Sequence, residues 1–214
     1  PRGKTDEFVI AFTAQVSKMY PTLVTNADYT SIVNDKQYSR IQSYLADARE
    51  QGARVIEINP ANERFENTRK IPPTIIIGAK PEMLIMQNEI FGPILPILEV
   101  ESLSQALEFV NSRPRPLALY YFDNDGARAD YVVTHTHSGA TGINDVVTHV
   151  GVDDLPFGGV GPSGMGRYHA YEGFQTYSNM KAVLVRSSIY SVRYILPPFN
   201  KATHTLIKKL FLGQ

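Results

Sequence analysis

The residues whose spacing could do chemistry cluster in LPFGGVGPSGMGR, residues 155–167. Gly159, Gly161 and Gly164 have the G-x-G-x-x-G spacing of a turn that receives a pyrophosphate on main-chain N–H groups at a helix start. That chemistry needs a strand before the first glycine and an acid about 20 residues further on for the ribose hydroxyls. Here the apolar-acidic stretch VGVDDLPF precedes the glycines, Pro162 has no N–H to offer, and no acid follows Glu172. A P-loop fails because Met165 stands where its lysine belongs. A G-x-S-x-G nucleophile elbow fails at the same residue, since Ser163 is followed by Gly164 and Met165. What remains is a tightly folded crossing loop, glycine-rich because backbones approach and positive φ angles recur.

Other reactive groups are sparse. The chain has no cysteine, which removes disulfides, thiolate metal sites and thiol nucleophiles together. His135, His137, His149 and His169 lack an i, i+4 ligand pair with an accompanying acid, so no metal site is expected. Formal charge is zero over 214 residues, and nothing global points to nucleic acid. The charge is unevenly placed: residues 173–214 carry six basic side chains and no acidic one. Such a tail can pack on the acidic body, join a subunit interface or meet an anionic surface, in that order of expectation. No apolar run approaches the ~20 residues of a membrane span.

The elements that must position these residues alternate. Phe8, Phe12 and Val16 have helical spacing within residues 5–19, and Pro21 ends that helix. Asn34 or Asp35 caps a second helix with Tyr38, Ile41, Leu45 and Ala48 on one face and Gly52 as its stop. Strands are expected over 53–58, 72–78, 94–100, 116–123, 140–145 and 181–187. Between them, Ser102 and Gln105 form a capping box, and Asn124 or Asp125 opens a helix to about His137. Tyr168, Tyr171, Phe174 and Tyr177 recur at helical spacing and predict a face packed on the sheet. The expected fold class is α/β, a mostly parallel sheet with flanking helices.

Two long motifs in order carry a family resemblance. LPFGGVGPSGMGRYHAYEGFQTYS resembles the C-terminal signature of the aldehyde dehydrogenase superfamily, and NEIFGPILPI (88–97) resembles its E-I-F-G-P motif. INDVVTH (143–149) before the loop fits as well. The resemblance covers residues 1–187, read as a partial catalytic domain, with 188–214 as a basic, apolar extension. It is nearest to the dimeric class that includes coniferyl and fatty aldehyde dehydrogenases. It implies oxidation of an aldehyde, such as coniferyl aldehyde, to the acid through a cysteine thiohemiacetal, with NAD or NADP as cofactor and no metal.

Residue by residue, the resemblance makes Glu89 the group that holds the ribose hydroxyls beside nicotinamide, since a carboxylate accepts from two hydroxyls at once. Phe91 would flank the nicotinamide. Asn144, His149 and Phe157 would line the aldehyde pocket, where an aromatic suits an apolar or aromatic substrate. Packing is the plain alternative for Phe91 and Phe157, and ordinary hydrogen bonding for His149.

The family's cysteine and glutamate base precede the part that this sequence resembles. The expectations that follow are an N-terminal portion of the same enzyme as partner, no turnover by these residues alone, and an excised or processed start at Pro1. A homodimer through the 181–187 strand and a cytoplasmic location are also expected, with membrane contact by the tail a weaker reading. The opposing reading is an inactive pseudoenzyme or assembly module that keeps the fold and interface. A free-standing nucleotide-binding module is a third.

Overall fold

The computed structural model describes residues 1–186, 188 and 194–213. The chain divides into two units, residues 1–115 with 124–137, and residues 116–123 with 138–213 among those described.

In the first unit the run Thr74–Ile77 (β2) is the centre of a three-stranded sheet. It pairs antiparallel with Arg54–Glu57 (β1) and parallel with Ile94–Ile97 (β3). Side chains of a strand alternate between faces, so the two adjacent isoleucines serve two cores. Ile76 is sealed among Ile41, Leu45 and Ala48 of helix Asp35–Glu50 (α2). Ile75 packs with Val16 of helix Thr5–Met19 (α1) and with Ile58. The result is helix on sheet on helix. Fully burying such a side chain is worth about 1.5–3 kcal/mol relative to exposure. Pro96 is tolerated because β3 ends the three-strand order and needs no donor on its outer side.

Local chemistry sets the helix ends. Asn34 caps α2, its side chain accepting from the Gln37 N–H at 2.9 Å. Helix Leu103–Asn111 (α4), which follows the single turn Leu84–Gln87 (α3), starts at Ser102. Ser102 Oγ accepts from the Gln105 N–H at 3.2 Å, but Gln105 Oε1 reaches back to the Glu101 N–H at 2.6 Å rather than to that of Ser102. Asp125 caps helix Gly126–His135 (α5), accepting from the N–H groups of Ala127 and Arg128.

A loop carboxylate ties down the chain after α1. Glu63 accepts from the main-chain N–H of Leu23 and, at 3.1 Å, of Val24. The Leu23 bond foremost, then those of Val24 and Thr25, hold its pKa below the ordinary 4.5. A depressed carboxylate stabilises the fold above its unfolded pKa and loses that contribution as pH falls through the folded value. Glu63→Gln is therefore expected to lower stability at pH 7 and to flatten the acid side of the stability curve below about pH 4.5. Urea unfolding across pH 2–7 checks both.

In the second unit Ala118–Tyr121 (β4) and Ala140–Ile143 (β5) pair in parallel. A 3₁₀ turn at Thr148–Gly151 leads to the glycine-rich loop, then helices Ala170–Thr176 (α6) and Ala202–Leu212 (α7) follow.

Three expectations are corrected here. The strand expected at 181–187 does not form over 181–186, and Ser187 lies outside the described residues. Val183, Leu184 and Val185 are exposed because, among the described residues, no strand pairs with them. The aromatic face 168–177 is not packed, its four rings being 45–85% exposed. Tyr168 is held in a bridge to Phe157, and His169 and Ala170 follow at φ 81° and 38°, so α6 starts only after them. In the tail, α7 is helical but none of its residues is buried. Leu206, Ile207, Leu210 and Phe211 fall within roughly 140° of one face of this helix, with Leu206, Leu210 and Phe211 exposed, while Leu212 points away.

Candidate functional site

The first unit presents the E-I-F-G-P segment as a surface turn. The short helix α3, whose Leu84 N–H donates to Asp47 Oδ2 at 2.8 Å, delivers the chain to Asn88. Glu89 follows with an exposed side chain, and its carboxylate makes no hydrogen bond or ion pair with any described residue. Phe91 stands at φ 48°, in the left-handed region that bulky residues avoid, and its ring is 80% exposed. Strain of this kind costs about 1–3 kcal/mol and persists where surrounding contacts over-determine it. Two such contacts are visible. A Cβ on Gly92 would stand 2.6 Å from Ile41 Cδ1, so any larger residue there must displace the tip of that buried side chain for the turn to sit so low on α2. Pro93 O then accepts from the Thr74 N–H at 2.8 Å, fixing the entry to β3.

A third contact went unread in the sequence. Arg40 of α2 donates from Nη1 to Glu89 O at 2.8 Å and from Nη2 to Ile90 O at 2.7 Å. The only signal for it was an arginine one helical turn from Gln37 and Tyr44, with a target about fifty residues away. Beside the turn lies a cleft of about 420 Å³, lined by Tyr29, Gln37, Phe91 and Pro93 among others. The Tyr29 hydroxyl donates to Ile71 O at 2.5 Å. Burial first, and Tyr20 second, push its pKa far above the ordinary 10.0, so it adds no charge to the cleft.

The second unit answers what the glycines do. Phe157 and Tyr168 exchange both main-chain hydrogen bonds at 2.9 Å and close the loop at its base. Inside it, a Cβ on Gly158 would lie 2.2 Å from Gly166 O, and one on Gly159 2.1 Å from Ser163 O. Gly161 and Gly166 have φ of 61° and 79°. Ser163 Oγ is turned inward, accepting from the Val160 N–H at 2.8 Å and donating to Val160 O. Close approach of backbones accounts for the glycine spacing.

Phe157 is half-buried in an aromatic cluster, its ring 6.0 Å from His149, 5.4 Å from Tyr168 and 6.0 Å from His169. Tyr120 packs on His149 at 5.8 Å. His149 Nε2 is buried without a hydrogen-bond partner among the described residues, a state that costs about 1–3 kcal/mol. Asp145 lies near it, its pKa lowered by the Thr148 hydroxyl first, then by the Val146 N–H and the charge of His149. Asn144 sits at φ 55° with its amide spent on main chain: Oδ1 accepts from the Asp123 N–H at 2.9 Å and Nδ2 donates to Asp123 O at 2.8 Å. It ties β5 to the end of β4. Of the expected pocket residues, His149 and Phe157 are brought together, while Asn144 braces the backbone.

The sequence pattern of the aldehyde dehydrogenase family matches residues 1–183. The chain belongs to the aldehyde dehydrogenase family. It is 46% identical over 213 residues to a coniferyl aldehyde dehydrogenase of Pseudomonas sp., covering 98% of this chain and 44% of that relative. The substrate-bound structure of Staphylococcus aureus AldH superposes with a TM-score of 0.78 at 34% identity, over 98% of this chain and 44% of that one. A Mycobacterium tuberculosis aldehyde dehydrogenase complexed with NAD+ gives a TM-score of 0.73 at 28% identity, over 89% and 39%. The chain spans less than half the length of these family members. The α/β class is shared with them.

Proposed function

We propose that this chain contributes the ribose anchor and part of the aldehyde pocket to an NAD(P)-dependent aldehyde dehydrogenase acting on an aromatic aldehyde of the coniferyl type. The observation that carries this reading is the turn at Glu89–Phe91. It presents an unengaged carboxylate and, two residues on, an exposed ring at a backbone conformation that costs energy to hold. Two carboxylate oxygens suit two vicinal hydroxyls, and the exposed ring offers an apolar face to a flat heterocycle, so the residues fit a nicotinamide riboside. The bound dinucleotide supplies the hydride acceptor. Glu89 orients the ribose, and Phe91 covers one side of the ring.

In the second unit, half-buried Phe157 and Tyr120 with the exposed Tyr168 offer aromatic surface to an aromatic substrate. Without a cysteine in these 214 residues the sulfur nucleophile must come from another segment of polypeptide, and the chain alone turns nothing over. Pairing of two copies through residues 181–187 and a cytoplasmic setting complete the reading. The lack of cysteine also favours a second reading, an assembly module without chemistry.

One experiment separates the two. The matching C-terminal part of the Pseudomonas sp. coniferyl aldehyde dehydrogenase is replaced with this chain. The chimera is expected to oxidise coniferyl aldehyde with NAD+ or NADP+, while the 214-residue chain shows no turnover. A folded chimera with no turnover supports the assembly module instead.

A further inference from the structure

We infer that Arg40 is a positioning residue for the cofactor turn, clamping its main chain so that Glu89 and Phe91 stay in register. The role assigned to the turn rests on the reading above; the clamp itself does not. The guanidinium makes four hydrogen bonds. Nε donates to Gln37 Oε1 at 2.6 Å, and Nη1 to both Glu89 O at 2.8 Å and the Tyr44 hydroxyl at 3.0 Å. Nη2 donates to Ile90 O at 2.7 Å. Its carbon lies 5.0 Å from the centre of the Tyr44 ring, which is itself buried.

Two features make this a clamp and not a chance surface contact. First, Gln37, Arg40 and Tyr44 share one face of α2, so the fork is fixed to a rigid helix before it meets the turn. Second, its two terminal nitrogens take successive carbonyl oxygens, immediately before the residue at φ 48°. A planar fork can do this; a lysine ammonium, a single point of charge, cannot hold both oxygens in the same geometry. The charge is also spent with economy of reach. Arg40 binds the carbonyl of Glu89 and forms no ion pair with its carboxylate, which stays open to hydroxyl donors.

The test uses Arg40→Lys and Arg40→Met in the 214-residue chain, followed by amide hydrogen exchange. Within 88–94 the hydrogen-bonded amides are those of Asn88, donating to Leu84 O, and Ile94, donating to Gly92 O. Their exchange is expected to quicken about tenfold or more in both variants as the clamp on the intervening carbonyls is lost. Protection in 41–48 and in 74–77 should stay unchanged. Unchanged exchange at 88–94, or an equal rise in all three segments, overturns the clamp. If the methionine variant does not fold, the lysine variant carries the test. In the chimera, Arg40→Lys should raise the cofactor KM about tenfold while leaving the aldehyde KM and the pH profile in place. A parallel change in both KM values would overturn the positioning role. A separate result bears on the turn's function: if Glu89→Gln leaves cofactor kinetics untouched while the exchange pattern holds, the ribose reading fails and the clamp stands.

Discussion

Gly159→Ala is expected to break open the glycine-rich loop at a cost of about 3 kcal/mol, the upper end for overpacking a tight site. The added Cβ would lie 2.1 Å from Ser163 O, 2.2 Å from Ser163 C and 2.6 Å from Gly164 N. These are main-chain atoms, and a main chain cannot turn aside as a side-chain tip can. Relief requires the strand-like pair at the loop's base to part. Amide exchange of Phe157 and Tyr168, the two N–H groups of that pair, should therefore quicken about a hundredfold. Gly151→Ala is the control: nothing lies within 4 Å of its Cβ position and its φ is not positive, so a change within about ±0.5 kcal/mol is expected there. Equal behaviour of the two variants would show that the glycines are not packed as described.

Ile41→Ala should cost about 2–5 kcal/mol in denaturant unfolding, the range for truncating a fully buried isoleucine. Ile41 has no solvent exposure and belongs to the cluster that seals α2 on the sheet. It is also the floor under the E-I-F-G-P turn, since Ile41 Cδ1 is the atom that a Cβ on Gly92 would strike at 2.6 Å. The two positions are therefore coupled. Gly92→Ala should cost about 1–3 kcal/mol in the native background and much less beside Ile41→Ala, where the space has been vacated. Strict additivity of the two substitutions would contradict the packing. Ile10→Ala, at a side chain 71% exposed, should change little.

Much of this architecture was legible because its causes are local. Asn34 and Asp125 announce helix starts by side chains that can accept N–H groups, and the run Thr74–Ile77 announces a buried strand by its β-branching. Of the stripe Tyr38, Ile41, Leu45 and Ala48, the last three lie on the buried face of α2, Tyr38 is only partly buried, and Tyr44 joins that face unread. Pairing was not legible, since nothing within Arg54–Glu57 says that it runs antiparallel to β2. The apolar run at 181–186 shows the same limit: among the described residues no strand pairs with it, and β propensity without a partner makes no strand. At the site, the types of Glu89 and Phe91 could be read, but the left-handed backbone of Phe91 could not, because phenylalanine gives no signal for it. Arg40 escaped because its contact joins residues about fifty apart in sequence. Asn144 was legible as a special residue but not as one whose amide is consumed by Asp123.

What the Glu89 carboxylate binds decides the role of this turn. The direct measurement is the cofactor KM of the coniferyl aldehyde dehydrogenase chimera carrying this chain, with and without Glu89→Gln. The change keeps size and removes charge, so loss of charge-assisted bonds to the ribose should raise that KM about tenfold and leave the aldehyde KM unchanged. An unchanged cofactor KM in an active chimera would contradict the assignment of this turn.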